Sequence, residues 1–249
     1  MNIEKFFKRI NYHGPQEPTL AVLTALQHHF LRAVPFENLD IHRNIPLNYR
    51  PGPIYHKIVE QQRGGICFEC NGLLYDVLTT LGFQVDLLSA KMFSEGQPLS
   101  RFTHVTLIVH LTDDDYLVDV GNGKAFGPPL PIKRPTISRG EGTVYSIGSY
   151  EDYLALTFRD ETGAWQPRYI YSPTAQPRDG FTEACHYIQT SPQAIFTQKK
   201  IVSRLTEAGR ITLTDMTYIR TTEEGRQEVE LTSEKVYHQV LAQDFGIVF

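Results

Sequence analysis

The chain has 249 residues, 41% of them hydrophobic, enough for a substantial core as one large domain or two to three small ones. A formal net charge of −4 gives no electrostatic reason to expect nucleic acid or an anionic membrane surface as partner. Three cysteines, two of them within one turn, do not make a disulfide framework, and no apolar window reaches membrane-spanning length, so a cytoplasmic protein in a reducing compartment is expected.

Residues 1–12 carry Glu4, Lys5, Lys8 and Arg9 and lack an apolar stretch, which predicts no secretory leader. Ile3, Phe6, Phe7 and Ile10 form an amphipathic helical stripe. A second helix is predicted from Thr19 through Leu31, with Pro18 ahead of it. Pro35-Phe36-Glu37-Asn38 breaks that pattern, and a proline- and asparagine-rich stretch runs on to Pro53. Beyond the glycine pair Gly64-Gly65, the residues Leu73, Leu74, Val77, Leu78 and Leu81 recur at helical spacing, with Gly82 as a stop. Cys67 falls at the start of this helix, where the positive end of the helix dipole favours a thiolate.

From residue 83 the period becomes alternating. Strands are predicted at Phe83–Leu87, Thr103–Leu111, Tyr116–Val120, Gly142–Ile147, Tyr153–Phe158 and Trp165–Tyr171. Many short strands with turn signals between them suggest a barrel or sandwich rather than a parallel sheet. In the last segment Thr197–Arg204 and Thr232–Phe245 read as helices, with Ile211–Leu213 and Met216–Arg220 as strands between them. The order is therefore helices, then a β module, then a small α/β end.

Catalysis by Cys67 needs a base within reach and a third group to orient that base. His104 opens an alternating strand, and Asp119 lies between apolar neighbours at the end of the next, a place a carboxylate seldom occupies without a partner. Two hairpin registers are open. A turn centred on Leu111-Thr112 pairs residues 104 and 119 directly, whereas one centred on Asp113-Asp114 leaves them about four residues, roughly 13 Å, apart. Taken singly, a buried cysteine is ordinarily an inert small hydrophobe, and a strand histidine or aspartate is ordinarily structural. Taken together and in this order, the three favour a nucleophile, its base and an orienting carboxylate.

Cys67-Phe68-Glu69-Cys70 also forms a C-x-x-C unit, the mark of a thiol–disulfide oxidoreductase, although no buried strand leads into it as such a site requires. A zinc site would need two further ligands, for which Cys185-His186 is the other candidate pair.

Several segments in order resemble the arylamine N-acetyltransferase family. They are Val34-Pro35-Phe36-Glu37-Asn38, Arg63-Gly64-Gly65-Ile66-Cys67-Phe68-Glu69, the His104 strand, Val118-Asp119-Val120-Gly121, and Tyr187-Ile188-Gln189-Thr190-Ser191-Pro192 with Phe196 beyond. The resemblance implies an α+β architecture: a helical domain over residues 1–82, a β-barrel domain over 83–192 and an α/β lid over 193–249, with a cysteine-proteinase-like, transglutaminase-like core. It implies a Cys67–His104–Asp119 triad that takes an acetyl group from acetyl-coenzyme A and passes it to an arylamine or arylhydrazine nitrogen, without a metal. It further implies a supporting ion pair of Glu37 with Arg63, an acceptor pocket lined by Phe36, Asn122, Phe126 and Phe196, and coenzyme A contacts from Ser100, Thr103 and Tyr187. Gly121–Gly127 is similar to a phosphate-cradling loop, and Asn71 reads as structural. Two positions depart from the family pattern: Asn122 stands where phenylalanine is common, and Cys70 where an aliphatic residue is usual.

Overall fold

The computed structural model describes residues 1–124, 127–134, 136–140 and 143–249. Six short or medium helical pieces come first. They are α1 (Ile3–Arg9), α2 (Leu20–Ala33), α3 (Leu39–His42), α4 (Pro51–Tyr55), a π-helical turn (His56–Glu60) and α5 (Cys67–Thr80), with the two-residue strand β1 (Phe36–Glu37) inserted before α3. Asn2 and Thr19 cap the first two helices, each accepting a hydrogen bond from a first-turn N–H. The stretch before Pro53 is not all loop: Pro51 sits in the first turn of α4, where a missing N–H costs nothing, and the chain winds on into the π turn.

The strands follow in chain order: β2 (Gln84–Ser94), β3 (Gln97–Pro98), β4 (His104–His110), β5 (Asp115–Val118), β6 (Leu130–Pro131), β7 (Ser138–Gly140), β8 (Thr143–Tyr150), β9 (Tyr153–Arg159) and β10 (Trp165–Tyr171). Together they make one antiparallel sheet in the order β6-β5-β4-β2-β10-β9-β8-β7, with β3 folded onto β2. The sheet curls until β6 lies against β8, so it is nearly a closed barrel. Alternation decides its two faces. Leu87, Val105, Leu107, Val109 and Val118 pack against the helices in one hydrophobic cluster. Leu88, Ala90, Ile108, Leu117, Leu156, Tyr169 and Tyr171 fill the inside of the curl in another.

The chain then returns to the helices through α6 (Thr182–Thr190), whose Cys185 and Ile188 join the first cluster, and the short α7 (Ile195–Gln198). A second sheet, in the order β1-β11-β12-β13-β14, is built from β11 (Ile201–Leu205), β12 (Gly209–Thr214), β13 (Thr217–Thr222) and β14 (Gly225–Glu230) added to β1. The helix α8 (Glu234–Phe245) covers one face of it with Tyr237, Leu241 and Phe245.

Thr197–Arg204 is thus not a helix: all but its first turn is strand β11. The reason is tertiary. Phe36 pairs with Ser203 and Glu37 with Val202, while the other edge of β11 pairs with β12 from Ile201↔Thr214 to Leu205↔Arg210. Ladder partners on both sides override a local pattern that reads as helical. Helix α6 and the exposed edge strand β14 are further elements the residue pattern did not reveal.

Candidate active site

The start of α5 is set by close backbone packing. A Cβ on Gly64 would fall 1.9 Å from the Pro35 carbonyl oxygen, so only glycine lets the chain pass there. Glu37 N–H donates to Gly65 O and Gly65 N–H to Pro35 O, which ties the turn to β1. The Glu69 carboxylate reaches back to accept from the Ile66 N–H at 3.1 Å, satisfying one donor of the first turn. Cys67 follows directly, 2% exposed, its thiol directed at the Thr103 carbonyl oxygen 3.9 Å away.

Beneath this turn lies a buried ionic network. Arg63 donates through Nη2 and Nε to Glu37 Oε1 at 2.7 and 3.0 Å, and through Nη2 to Asp40 Oδ1 at 2.9 Å. Lys57 bridges Asp40 and Glu69, 2.8 Å from an oxygen of each. Glu37 is 0% exposed, so the Glu37–Arg63 pair expected from the sequence is no surface pair but two members of a five-residue cluster. Burial would lower the Lys57 pKa, but the carboxylates of Glu69, Glu37 and Asp40 outweigh it and raise it. For Glu69, buried completely, desolvation dominates and the carboxyl is raised.

The β4–β5 hairpin adopts neither of the two registers considered above. The pairs Leu107↔Val118 and His110↔Asp115 centre the turn on Thr112-Asp113, so extending the ladder sets Asp119 opposite Thr106, one diagonal step from His104. Residues 104 and 119 still share a face. Because β5 ends at Val118, Asp119 is free to lean back along the sheet, and its Oδ2 lies 2.7 Å from His104 Nε2. Both side chains are buried. Burial by itself would lower the His104 pKa; the charge and hydrogen bond of Asp119, joined by a hydrogen bond with Cys67, push it up to about 10. With Nε2 on Asp119, the other ring nitrogen is left for the thiol.

Asp119 is held from all sides. Its Oδ1 accepts from Asn71 Nδ2 at 2.9 Å and from the Gly121 N–H at 2.8 Å. Asn71 also donates to Val105 O at 2.7 Å and accepts from the Val120 N–H at 2.9 Å. The Tyr169 ring lies 5.1 Å from the His104 ring, and its hydroxyl hydrogen-bonds Thr106 and Asp119. Gly121 closes the assembly: a Cβ there would lie 2.5 Å from Cys67 Cα, so this backbone packs directly on Cys67.

The remaining expected positions divide. Phe36 and Phe196 stand together, ring centroids 5.8 Å apart. Asn122 is buried and accepts from Arg168 Nη2 at 3.1 Å. Thr103 adjoins Cys67, and its Oγ1 is buried without a partner among the described residues. Tyr187 is half-buried on α6 beneath the Arg101 guanidinium, while Ser100 is exposed on the loop leading to Arg101. Phe126 lies outside the described residues, as does part of the glycine-rich loop. Cys70 is buried: its thiol donates to Gly65 O at 3.2 Å, and burial raises its pKa well above normal. All three cysteines are free. Among the described residues no cluster of His, Cys, Asp and Glu is placed to hold a metal, and no helix is long and apolar enough to cross a membrane.

Sequence reasoning missed Lys57, Asp40, Tyr169 and the role of Asn71. Asn71 carried a signal, standing one turn beyond Cys67 on the same helix face. Lys57 and Tyr169 carried none, since only tertiary packing brings them in.

Residues 19–249 match a family model described as N-acetyltransferase, which sets the class. The arylamine N-acetyltransferase of Mycolicibacterium smegmatis is 32% identical over 220 residues, covering 86% of this chain and 80% of that protein. Arylamine N-acetyltransferase 2 of Mus musculus is 30% identical over 243 residues, with 84% and 79% covered. Among solved structures, the Mycobacterium marinum arylamine N-acetyltransferase superposes with a TM-score of 0.93 at 27% identity, covering 99% of this chain and 93% of that one. The structure of that enzyme in complex with CoA gives a TM-score of 0.92, also at 27% identity, covering 99% and 93%. The chain belongs to the arylamine N-acetyltransferase family.

Proposed function

We propose that the protein moves an acetyl group from acetyl-coenzyme A to an arylamine or arylhydrazine nitrogen through a thioester on Cys67. The observation that carries this reading is the His104–Asp119 pair, buried and bonded at 2.7 Å against the residue that opens α5. A solved relative carries CoA in its complex, which supports the choice of donor.

In this mechanism Cys67 attacks as a thiolate, its proton resting on His104. The new C–S bond forms as the bond to coenzyme A breaks, and the leaving thiolate takes the proton from His104. The acceptor nitrogen then attacks the acetyl-cysteine. His104 takes the proton from that nitrogen, and the electron pair returns to the Cys67 sulfur. Asp119 keeps His104 oriented and favours its cationic form. The backbone N–H of Cys67, in the first turn of α5, is the donor we assign to the developing oxyanion. Thr103 and Tyr187, with Ser100 at the rim, take the coenzyme; Phe36, Asn122 and Phe196 take the acceptor.

Incubation with acetyl-coenzyme A followed by intact-mass measurement tests this. An acetyl adduct is expected on the wild type and absent from Cys67→Ala; an adduct that persists in that variant sinks the reading. Discharge of the adduct by an arylamine, rather than by water alone, separates the transferase from a same-fold hydrolase. The oxidoreductase alternative is disfavoured by the buried, carbonyl-bonded Cys70.

A further inference from the structure

Cys70 is a buried nucleophile that the proposed mechanism leaves unused, and it stands at a position that departs from the family pattern. Cys67 and Cys70 are the first and fourth residues of α5, and both are free. Residues three apart on a helix share a face, with Cα atoms about 5 Å apart by helical rise and radius. That falls within the span of about 4.4–6.8 Å that a disulfide bridges. Helical side chains lean towards the N-terminus, so the Cys70 thiol lies over the turn that Cys67 begins. Its hydrogen bond to Gly65 O at 3.2 Å follows that lean, since Gly65 precedes Cys67 by two residues. The Cβ atoms of a regular helix are about 5–6 Å apart at this spacing, so the turn must tighten for a bridge to close. It is already partly tightened: the Glu69 N–H donates to Ile66 O, three residues back, at 3.0 Å.

The two thiols differ in character. In the proposed mechanism His104 supports Cys67 as a thiolate, whereas burial keeps Cys70 a neutral thiol. Cys70 thus has no route to an external substrate, yet it needs none to meet a sulfur one turn away. The pair is close enough for each to feel the other's charge. A reactive thiolate with a second thiol beside it is the arrangement of a redox-sensing pair. Cys185 is the competing partner: it is buried on α6, and its sulfur also feels the charge of Cys67.

We propose that Cys67 and Cys70 form an oxidative modification site, in which Cys70 captures the sulfenic acid that hydrogen peroxide makes on Cys67 and stores it as a reducible disulfide. In the first step the Cys67 thiolate attacks a peroxide oxygen. The S–O bond forms, the O–O bond breaks, and the leaving hydroxide takes the His104 proton as water. The Cys70 sulfur then attacks the Cys67 sulfur. The S–S bond forms, the S–O bond breaks, and hydroxide departs with the Cys70 proton as a second water. Two thiols are oxidised while one peroxide is reduced to two waters. A dithiol reopens the bridge by thiol–disulfide exchange. Without Cys70 the sulfenic acid meets further peroxide and passes to sulfinic acid, which thiols do not reverse. This inference rests on the reading of Cys67 as a reactive thiolate, and its readout does not depend on acetyl transfer.

The test treats the whole protein with hydrogen peroxide, without acetyl-coenzyme A, as wild type, Cys70→Ser, Cys70→Ala and Cys185→Ala. Serine keeps a hydroxyl to donate to Gly65 O, and alanine is the second variant should serine disturb the fold. In the wild type and Cys185→Ala, the tryptic peptide 64–91 is expected to lose two hydrogens, the mark of a bridge between its own two cysteines. Dithiothreitol is expected to return it to the reduced form. In both Cys70 variants the same peptide is expected to gain oxygens instead, and the fraction of Cys67 recovered by dithiothreitol to fall at least about fivefold. A peptide 64–91 that stays reduced in the wild type, or is oxidised without the bridge, overturns the proposal. So does a bridge to Cys185, or equal recovery in the wild type and the Cys70 variants. Acetyl loading is read separately by intact mass. A wild type that bridges but does not load loses only the acetyl-transfer reading, whereas one that loads but does not bridge loses only this inference.

Discussion

Asn71 occupies a helix interior, yet its three side-chain hydrogen bonds all leave the helix: to Val105 O on β4, and to the Val120 N–H and Asp119 in the segment just past β5. Truncation leaves those buried groups without partners. Asn71→Ala is expected to destabilise the fold by about 2–4 kcal/mol, read from urea unfolding, and to slow acetyl loading of Cys67. His104 gives a pH signature. Its pKa is raised from 6.5 to about 10 on folding, so the stability it contributes is fully present below pH 6.5 and is lost as pH rises through 10. The urea midpoint of the wild type should therefore fall between pH 6.5 and pH 10, and His104→Gln should flatten that fall. An equal slope in the two proteins would contradict the linkage.

At the scale of elements, the ionic cluster joins β1, α3, the π turn and the first turn of α5 under Cys67. Lys57 alone touches both Asp40 and Glu69. Removing its charge leaves buried carboxylates facing one another, so Lys57→Met is expected to cost about 3–5 kcal/mol, measured as a lowered thermal midpoint. Elements with strong local signals were legible in the residues: the α5 stripe, the alternation of β4 and the helix ending at Phe245. The β4–β5 register was not, because the triplet Asp113-Asp114-Asp115 suits several turns. What decides it is tertiary: Asp114 accepts from the Lys133 N–H and from Arg134 Nε, which fixes the turn by a contact some twenty residues away in sequence. Strand β11 was misread for the same kind of reason. Its pattern is ambiguous alone, and the ladder to Phe36 and Glu37 resolves it. Cys67, His104 and Asp119, which the structure brings together, stood out in the residues because each sits at or next to the end of an element, where polar side chains contrast with apolar runs.

Across the whole molecule, Asn38 is the joint between the helical part and the second sheet. Its Nδ2 donates to the carbonyls of Phe196 and Lys199, and its Oδ1 accepts from the Ile201 N–H at 2.7 Å. Asn38→Ala is expected to raise hydrogen exchange in β11 and β12 while leaving β4 and β5 protected. Protection unchanged throughout would show that the β1–β11 ladder suffices without the side chain.

The approach of Gly121 to Cys67 has a consequence for how the protein fails. The proposed nucleophile rides on a helix and its proposed base on a sheet, and the two layers meet where backbone packs closer than any side chain would permit. A slight parting of these layers, too small to melt either one, already separates sulfur from imidazole. Turnover is thus a finer gauge of docking between the layers than any spectroscopic signal of folding. Under rising denaturant the chemistry goes silent first, in a molecule whose helices and strands are still in place.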